Sequence, residues 1–62
     1  MQLEGSVIAI TGAAQGLGRA MAQEVAQQGA SVALIDMQEG PLEQAAKELR
    51  GLGVKAEYYV VN

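Results

Sequence analysis

The sequence predicts an α/β fold in which strands and helices alternate as β-α-β-α-β around a parallel sheet. Short, continuous apolar runs rich in β-branched residues recur along the chain, which is typical of strands buried on both faces of a sheet. Between these runs, apolar residues return every three or four positions, as in amphipathic helices. Strands that alternate with helices of this length are joined by right-handed crossovers into a parallel sheet.

The first strand is predicted at residues 7–10, where a run of four apolar residues is followed by a glycine-rich turn. The first helix is predicted at residues 16–28, because its larger apolar side chains recur every fourth position, with alanines beside them: Leu17, Met21 and Val25. Gly29 follows directly, in the position where a helix most often ends.

The second strand is predicted at residues 32–35 and stops at Asp36. Residues 37–40 are interpreted as a connection, and Pro41 suits the first turn of the second helix because its missing N–H would be unpaired there. The apolar stripe of that helix consists of Leu42, Ala45, Ala46, Leu49 and Leu52. Residues 56–61 are interpreted as the third strand.

The predicted topology leaves one face of the sheet without cover. If the strands lie in the order in which they occur, two right-handed crossovers place both helices on the same face. The strands nevertheless have the composition of strands that are buried on both sides. We therefore expect this chain to be half of a larger doubly wound domain. We also expect the bare face to be covered, either by another copy of the chain or by the missing half of the domain. The isolated chain is expected to be a dimer, a higher assembly or poorly folded.

Composition excludes several classes of function. The 62 residues carry 4 basic and 7 acidic side chains, a net charge of −3, which disfavours broad attraction to nucleic acid or an anionic membrane. Cysteine and histidine are absent, which excludes disulfides and the usual zinc sites, and no metal site is predicted. No apolar run approaches the ~20 residues of a membrane span. The first residues lack the basic start of a secretory signal, so we expect a soluble, cytoplasmic protein.

A glycine-rich loop connects the first strand to the first helix. In the stretch Thr-Gly-Ala-Ala-Gln-Gly-Leu-Gly, Gly12 permits a sharp turn away from the strand. Gly16 lacks a side chain where the backbone has to approach a pyrophosphate, and Gly18 allows the helix to pack close to the strand. The N–H groups at the start of the helix favour a phosphate without any basic side chain.

Asp36 follows the second strand, 18 residues after Gly18. At this position of a dinucleotide site, an acid accepts hydrogen bonds from the adenosine ribose hydroxyls. Its charge favours NAD and repels the 2′-phosphate of NADP, and no Arg or Lys occurs within the next ten residues. A glycine turn alone is common, and a lone aspartate often ends a strand or caps a helix. Their combination in one βαβ unit predicts the dinucleotide-binding half of a Rossmann-type doubly wound parallel sheet.

The spacing Thr-Gly-x-x-x-Gly-x-Gly, followed by Arg19 and Ala20, resembles the short-chain dehydrogenase/reductase family over the whole chain. Within that family the likeness is greatest to 3-oxoacyl-carrier-protein reductases and related alcohol or polyol dehydrogenases. The resemblance implies a nicotinamide cofactor and a homo-oligomeric parent enzyme. The family most often has an Asp beside the adenine ring, and Asn62 stands at that position here. With it, the resemblance and the loop together give the expected cofactor-binding residues: Gly12, Ala14, Gln15, Gly16, Leu17, Gly18, Asp36 and Asn62.

The family's catalytic Ser, Tyr-x-x-x-Lys pair and supporting Asn are not found in these 62 residues, since Tyr58 is followed at the fourth position by Asn62 and Tyr59 by no residue. We therefore assign no catalytic residue and expect no catalysis by the chain alone. Residues 1–62 are interpreted as the N-terminal cofactor-binding segment of an oxidoreductase that interconverts an alcohol and a ketone by hydride transfer. The alternatives are a stand-alone adenine-dinucleotide-binding module and a truncated or engineered fold fragment without a ligand.

Overall fold

The computed structural model describes residues 5–61, which form one three-stranded parallel sheet in the order β1-β2-β3 with two crossover helices. The elements are β1 (Val7–Thr11), α1 (Gly16–Gln27), β2 (Ser31–Asp36), α2 (Glu39–Arg50) and β3 (Ala56–Val60). This arrangement confirms the predicted βαβαβ half of a Rossmann-type sheet and the adjacency of consecutive strands. Neither helix is long and apolar enough, within the described residues, to cross a membrane.

The start of α2 differs from the sequence prediction. The helix begins at Glu39, so the predicted connection over 37–40 is two residues shorter than expected, and Gly40 lies inside the helix. Pro41 is still in the first turn, where its missing N–H costs nothing. At the other end, α2 stops at Arg50, and Leu52 is half exposed in the following turn instead of extending the buried stripe.

The core lies between the sheet and the two helices. The largest side chains that are almost completely buried come from β2 and α2: Val32, Leu34, Leu42 and Leu49. The residues of α1 that contribute to the core are small, namely Ala22 and Ala26. Small side chains on α1 allow its backbone to approach the sheet closely, whereas α2 fills its share of the core with leucine.

The predicted apolar stripe of α1 lies mostly outside the core, which corrects the sequence-based interpretation. Leu17 is 77% exposed and Met21 is 50% exposed, while Val25 is only partly buried. These side chains flank a groove of about 380 Å³ along the outer edge of β1, together with residues of that strand such as Ile8. The stripe is open because β1 is an edge strand, so the described residues place no further strand beside it.

The face of the sheet opposite the helices is bare among residues 5–61. Alternate residues of the three strands point to this face, and in register they form rows such as Thr11, Ile35 and Tyr59. Tyr59 is 53% exposed and Val7 is 75% exposed. Tyr58 lies on the helix side, where its hydroxyl donates to Oε2 of Glu43 at 2.9 Å. The two adjacent tyrosines therefore face opposite sides of the sheet.

Candidate functional site

The carboxyl ends of the three parallel strands lie along one edge of the sheet. Thr11 is in register with Ile35, and Asp36 is in register with Val60. The glycine-rich loop that follows β1 therefore lies beside the residue that ends β2. In open parallel α/β sheets, ligands bind at this carboxyl edge.

The three glycines of the loop have different structural requirements. Gly12 and Gly16 have φ values of 65° and 66°, in the left-handed region that side chains disfavour. A Cβ on Gly18 would collide with the carbonyl oxygen of Gly12, so the start of α1 packs directly on the backbone of the turn. A Cβ on Gly16 would meet no atom within 4 Å, which leaves open space beside its backbone. Close packing at Gly18 and open space at Gly16 are compatible with the predicted approach of a phosphate group.

The Asp36 carboxylate is hydrogen-bonded to the loop. Oδ2 accepts from the backbone N–H of Ala14 at 3.0 Å, across 22 residues of sequence. Oδ1 accepts from the N–H groups of Met37 at 2.6 Å and Gln38 at 3.2 Å. The N–H of Ala13 forms a second, longer link by donating to the carbonyl oxygen of Ile35 at 3.3 Å. The end of β2 and the glycine-rich loop are thus joined at two points.

These backbone bonds also set the charge of Asp36. The N–H of Ala14, followed by that of Gln38, lowers the pKa of the Asp36 carboxyl below its ordinary value of 3.8, and partial burial opposes this shift only in part. Asp36 is therefore ionised at neutral pH and can only accept hydrogen bonds. A carboxylate offers roughly four acceptor positions, so one position on Oδ2 is left for a ligand hydroxyl.

The N-terminus of α1 is not neutralised by side chains. Gln15 precedes the helix in an extended conformation, and its side chain makes no capping hydrogen bond. The first turn contains no acidic residue. The first N–H groups of a helix lack partners within the helix and carry a partial positive charge. An anion from solvent can therefore bind at this helix end without displacing a side chain.

The remaining predicted residues differ in position. Gln15 and Leu17 are exposed beside the loop, whereas Asn62 lies outside the described residues. Arg19 forms an ion pair with Glu48 of α2 instead of facing the loop. Sequence reasoning missed the bond between Ala14 and Asp36. No side-chain pattern in the sequence indicates it, because its donor is the backbone N–H of an alanine.

Solved structures that resemble this chain share its whole fold. An NAD⁺-bound xylitol dehydrogenase superposes with a TM-score of 0.92 at 38% identity, covering 97% of this chain and 23% of that enzyme. L-sorbose reductase from Gluconobacter frateurii, solved with NADPH and L-sorbose, gives a TM-score of 0.93 at 35% identity over 98% of this chain and 24% of that enzyme. Nicotinamide dinucleotides of both kinds therefore occur among its structural relatives.

Sequence relatives agree with this likeness. The 3-oxoacyl-[acyl-carrier-protein] reductase of Thermotoga maritima is 45% identical over all 62 residues, which correspond to 25% of that reductase. The 2,3-dihydro-2,3-dihydroxybenzoate dehydrogenase of Bacillus subtilis is 42% identical over 57 residues, or 22% of its length. This chain thus spans about a quarter of the length of these relatives. Residues 6–62 match the family model of the short chain dehydrogenases, and the chain belongs to that family.

Proposed function

We propose that this chain binds the adenosine diphosphate half of NAD, as the N-terminal dinucleotide-binding segment of an oxidoreductase whose catalytic half lies outside residues 1–62. The observation that carries the proposal is the junction of three features at one sheet edge. An uncapped helix N-terminus, a glycine with open space beside it and an ionised carboxylate with a free acceptor position lie next to one another. They match a pyrophosphate and a ribose, which are adjacent in the same ligand.

In this proposal most contacts are made by backbone groups. The N–H groups at the start of α1, from Gly16 to Gly18, hold the pyrophosphate, and Gly12 supplies the turn that aims them. Gln15 and Leu17 border the ribose and phosphates, whereas Ala14 is completely buried and supports the loop through its bond to Asp36. Asp36 accepts from a ribose hydroxyl, and Asn62 is proposed on the sequence alone to contact the adenine edge.

Preference for NAD over NADP is proposed from charge. Asp36 is ionised, and its negative charge would lie next to a 2′-phosphate. The nearest basic side chain along α1, Arg19, is engaged by Glu48. Since the structural relatives include complexes of both cofactors, this preference rests on Asp36 of this chain and not on the family.

The reaction is proposed for the longer protein. The names of the relatives describe dehydrogenases and reductases, which supports the interconversion of an alcohol and a ketone, and the Thermotoga maritima reductase supports a 3-oxoacyl thioester as one substrate class. The nicotinamide, when bound, supplies the hydride donor or acceptor. Residues of this chain bind and orient the other end of the cofactor, while substrate contacts and proton transfer come from elsewhere.

Isothermal titration calorimetry of the 62-residue chain with NAD, NADP and ADP tests the proposal. We expect NAD and ADP to bind at millimolar or lower concentration and NADP to bind more weakly. Gly16→Ala should abolish binding, and Asp36→Ala should lose the preference against NADP. Gly53→Ala is the matched control, because Gly53 also has a positive φ and open space but lies at the opposite end of the sheet. Absence of NAD and ADP binding by folded wild-type chain would refute the function.

A second candidate is a fold fragment without a ligand, whose bare sheet face is covered by another copy. It is favoured by the exposed apolar side chains on that face, including Val7 and Tyr59. Within the longer protein, we expect the missing half to dock onto the same face instead. Analytical ultracentrifugation with calorimetric melting distinguishes these possibilities. A sharp melt of a monomer that is independent of concentration would exclude self-association.

A further inference from the structure

We propose that Asp36 is a positioning residue for the phosphate-binding loop, in addition to a ribose acceptor. Its Oδ2 accepts the N–H of Ala14 at 3.0 Å and so links the loop to the end of β2. This inference rests on the proposed function, because it concerns how the loop is held ready for a phosphate. Asp36 would then have two effects on nucleotide binding, one on the ribose and one on the loop, and a titration with a nucleotide measures only their sum.

The link matters because Ala14 is completely buried. A buried N–H without an acceptor is destabilising, and the Asp36 carboxylate is the side-chain acceptor of this N–H. Ala14 also lies between Gly12 and Gly16, whose backbones can adopt many conformations. Without the carboxylate, the conformational change that costs the least free energy is a rotation about these glycines that exposes the Ala14 N–H to water. Such a rotation would turn the N–H groups at the start of α1 away from a common point.

Electrostatics predicts the opposite effect on phosphate binding. Asp36 carries a negative charge near the loop, so its removal should strengthen the binding of any anion there. If Asp36 acts only on the ribose, a ligand without ribose should bind equally well or better after its removal. If Asp36 also positions the loop, the same ligand should bind more weakly. The sign of the change therefore distinguishes the two roles.

Inorganic pyrophosphate is the probe, titrated into the ¹⁵N-labelled 62-residue chain and followed by amide chemical shifts. We expect Asp36→Ala to weaken pyrophosphate binding about fivefold or more. Asp36→Asn should restore binding to the wild-type level or above it, because its amide oxygen can accept from Ala14 while the charge is absent. Its NH2 group then replaces Oδ1, and the exposed N–H groups of Met37 and Gln38 bond to water instead. Glu39→Gln is the matched control, since it removes a neighbouring exposed charge that makes no bond to the loop. Pyrophosphate binding by Asp36→Ala at or above wild-type strength would overturn the proposal.

Hydrogen exchange of the Ala14 amide provides a measurement that does not depend on a ligand or on the folding of a variant. In the wild-type chain this amide should exchange at least about tenfold more slowly than its unstructured rate. Exchange at the unstructured rate from an otherwise folded wild-type chain would overturn the link. If wild-type chain binds neither NAD nor pyrophosphate, the proposed function fails, whereas fast exchange of the Ala14 amide would refute the link itself.

Discussion

The two helices have the same length, 12 residues, but different end charges and different packing. Helix α2 has Glu39 in its first turn and Lys47 and Arg50 in its last, so both ends of its dipole are complemented. Helix α1 has no acidic residue in its first turn and no basic residue in its last. The leucines of α2 are buried, whereas Leu17 and Met21 of α1 are largely exposed.

Under the proposed function, this difference separates a helix that stabilises the fold from one that serves a binding site. The end charges of α2 favour the helix itself, and its buried leucines favour its packing on the sheet. In α1, the partial positive charge at the N-terminus is not balanced by an acidic side chain, and glycine replaces better helix formers at Gly16 and Gly18. The stability that α1 lacks at its start has to come from its alanine face and from the bonds that hold the preceding loop.

The largest expected effect comes from truncating one leucine on each helix. Leu42→Ala should destabilise the fold by about 2–5 kcal/mol, because Leu42 is completely buried in the core. Leu17→Ala should change the free energy of unfolding by about 0.5 kcal/mol or less, since this side chain is mostly exposed. Urea denaturation followed by circular dichroism measures both. Equal effects of the two substitutions would show that the stripe of α1 is covered in solution.

A second pair compares glycines near the starts of the two helices. Gly18→Ala should destabilise the chain by about 1–3 kcal/mol and abolish nucleotide binding, because its Cβ collides with the Gly12 carbonyl oxygen. Gly40→Ala, in open space within α2, should stabilise it by about 0.5–1 kcal/mol. Thermal melts and NAD titrations report the two effects. Tolerance of alanine at Gly18 with full NAD binding would contradict the packing described for this turn.

A third test gives α1 the end charge that α2 already has. Gln15→Asp places a carboxylate at the N-cap, which should stabilise the helix by about 0.5–2 kcal/mol while weakening pyrophosphate binding. Gln38→Asp is the matched control at the N-cap of α2, where the residue also makes no side-chain capping bond. It should give a similar gain in stability with a smaller loss of pyrophosphate affinity. Unchanged pyrophosphate binding in Gln15→Asp would mean that the start of α1 is not the phosphate site.

The smallest expected effect is on the pH dependence of the loop. The folded-state pKa of Asp36 is lowered, so its bonds contribute stability that is present above the ordinary value of 3.8 and is lost as the pH falls through the folded-state value. The chemical shift of the Ala14 amide in ¹⁵N-correlated spectra should therefore change with pH, with a midpoint below 3.8. A midpoint at or above 3.8 would show that the carboxylate gains nothing from the loop.

The order of the elements and the position of Asp36 could be predicted from the sequence, because they depend on local patterns. Runs of β-branched residues, helical periodicity and the 18-residue separation of Gly18 and Asp36 are all visible in one dimension. The exposure of Leu17 could not be predicted, since periodicity shows which residues share a face but not whether a strand covers it. The start of α2 at Glu39 could not be predicted, because Gly40 is more typical of a connection and Pro41 marks the first helical turn without fixing its first residue.

The bond between Ala14 and Asp36 could not be predicted for a different reason. It joins a backbone group to a side chain 22 residues away, and alanine gives no sign that its N–H has a specific partner. Patterns of side chains describe which surfaces are apolar or charged. They contain little information on which backbone N–H groups a fold leaves in need of acceptors.

The collision expected at Gly18 has a consequence for how this segment can vary. Here the turn and the helix are fitted to each other by main-chain atoms, so the fit depends on the absence of a side chain and not on the identity of its neighbours. Gln15, which precedes α1, and Leu17, in its first turn, are exposed, so substitutions there should change what surrounds a ligand without disturbing this fit. A library that keeps the three glycines and randomises these two positions would therefore explore new ligand preferences on an unchanged scaffold.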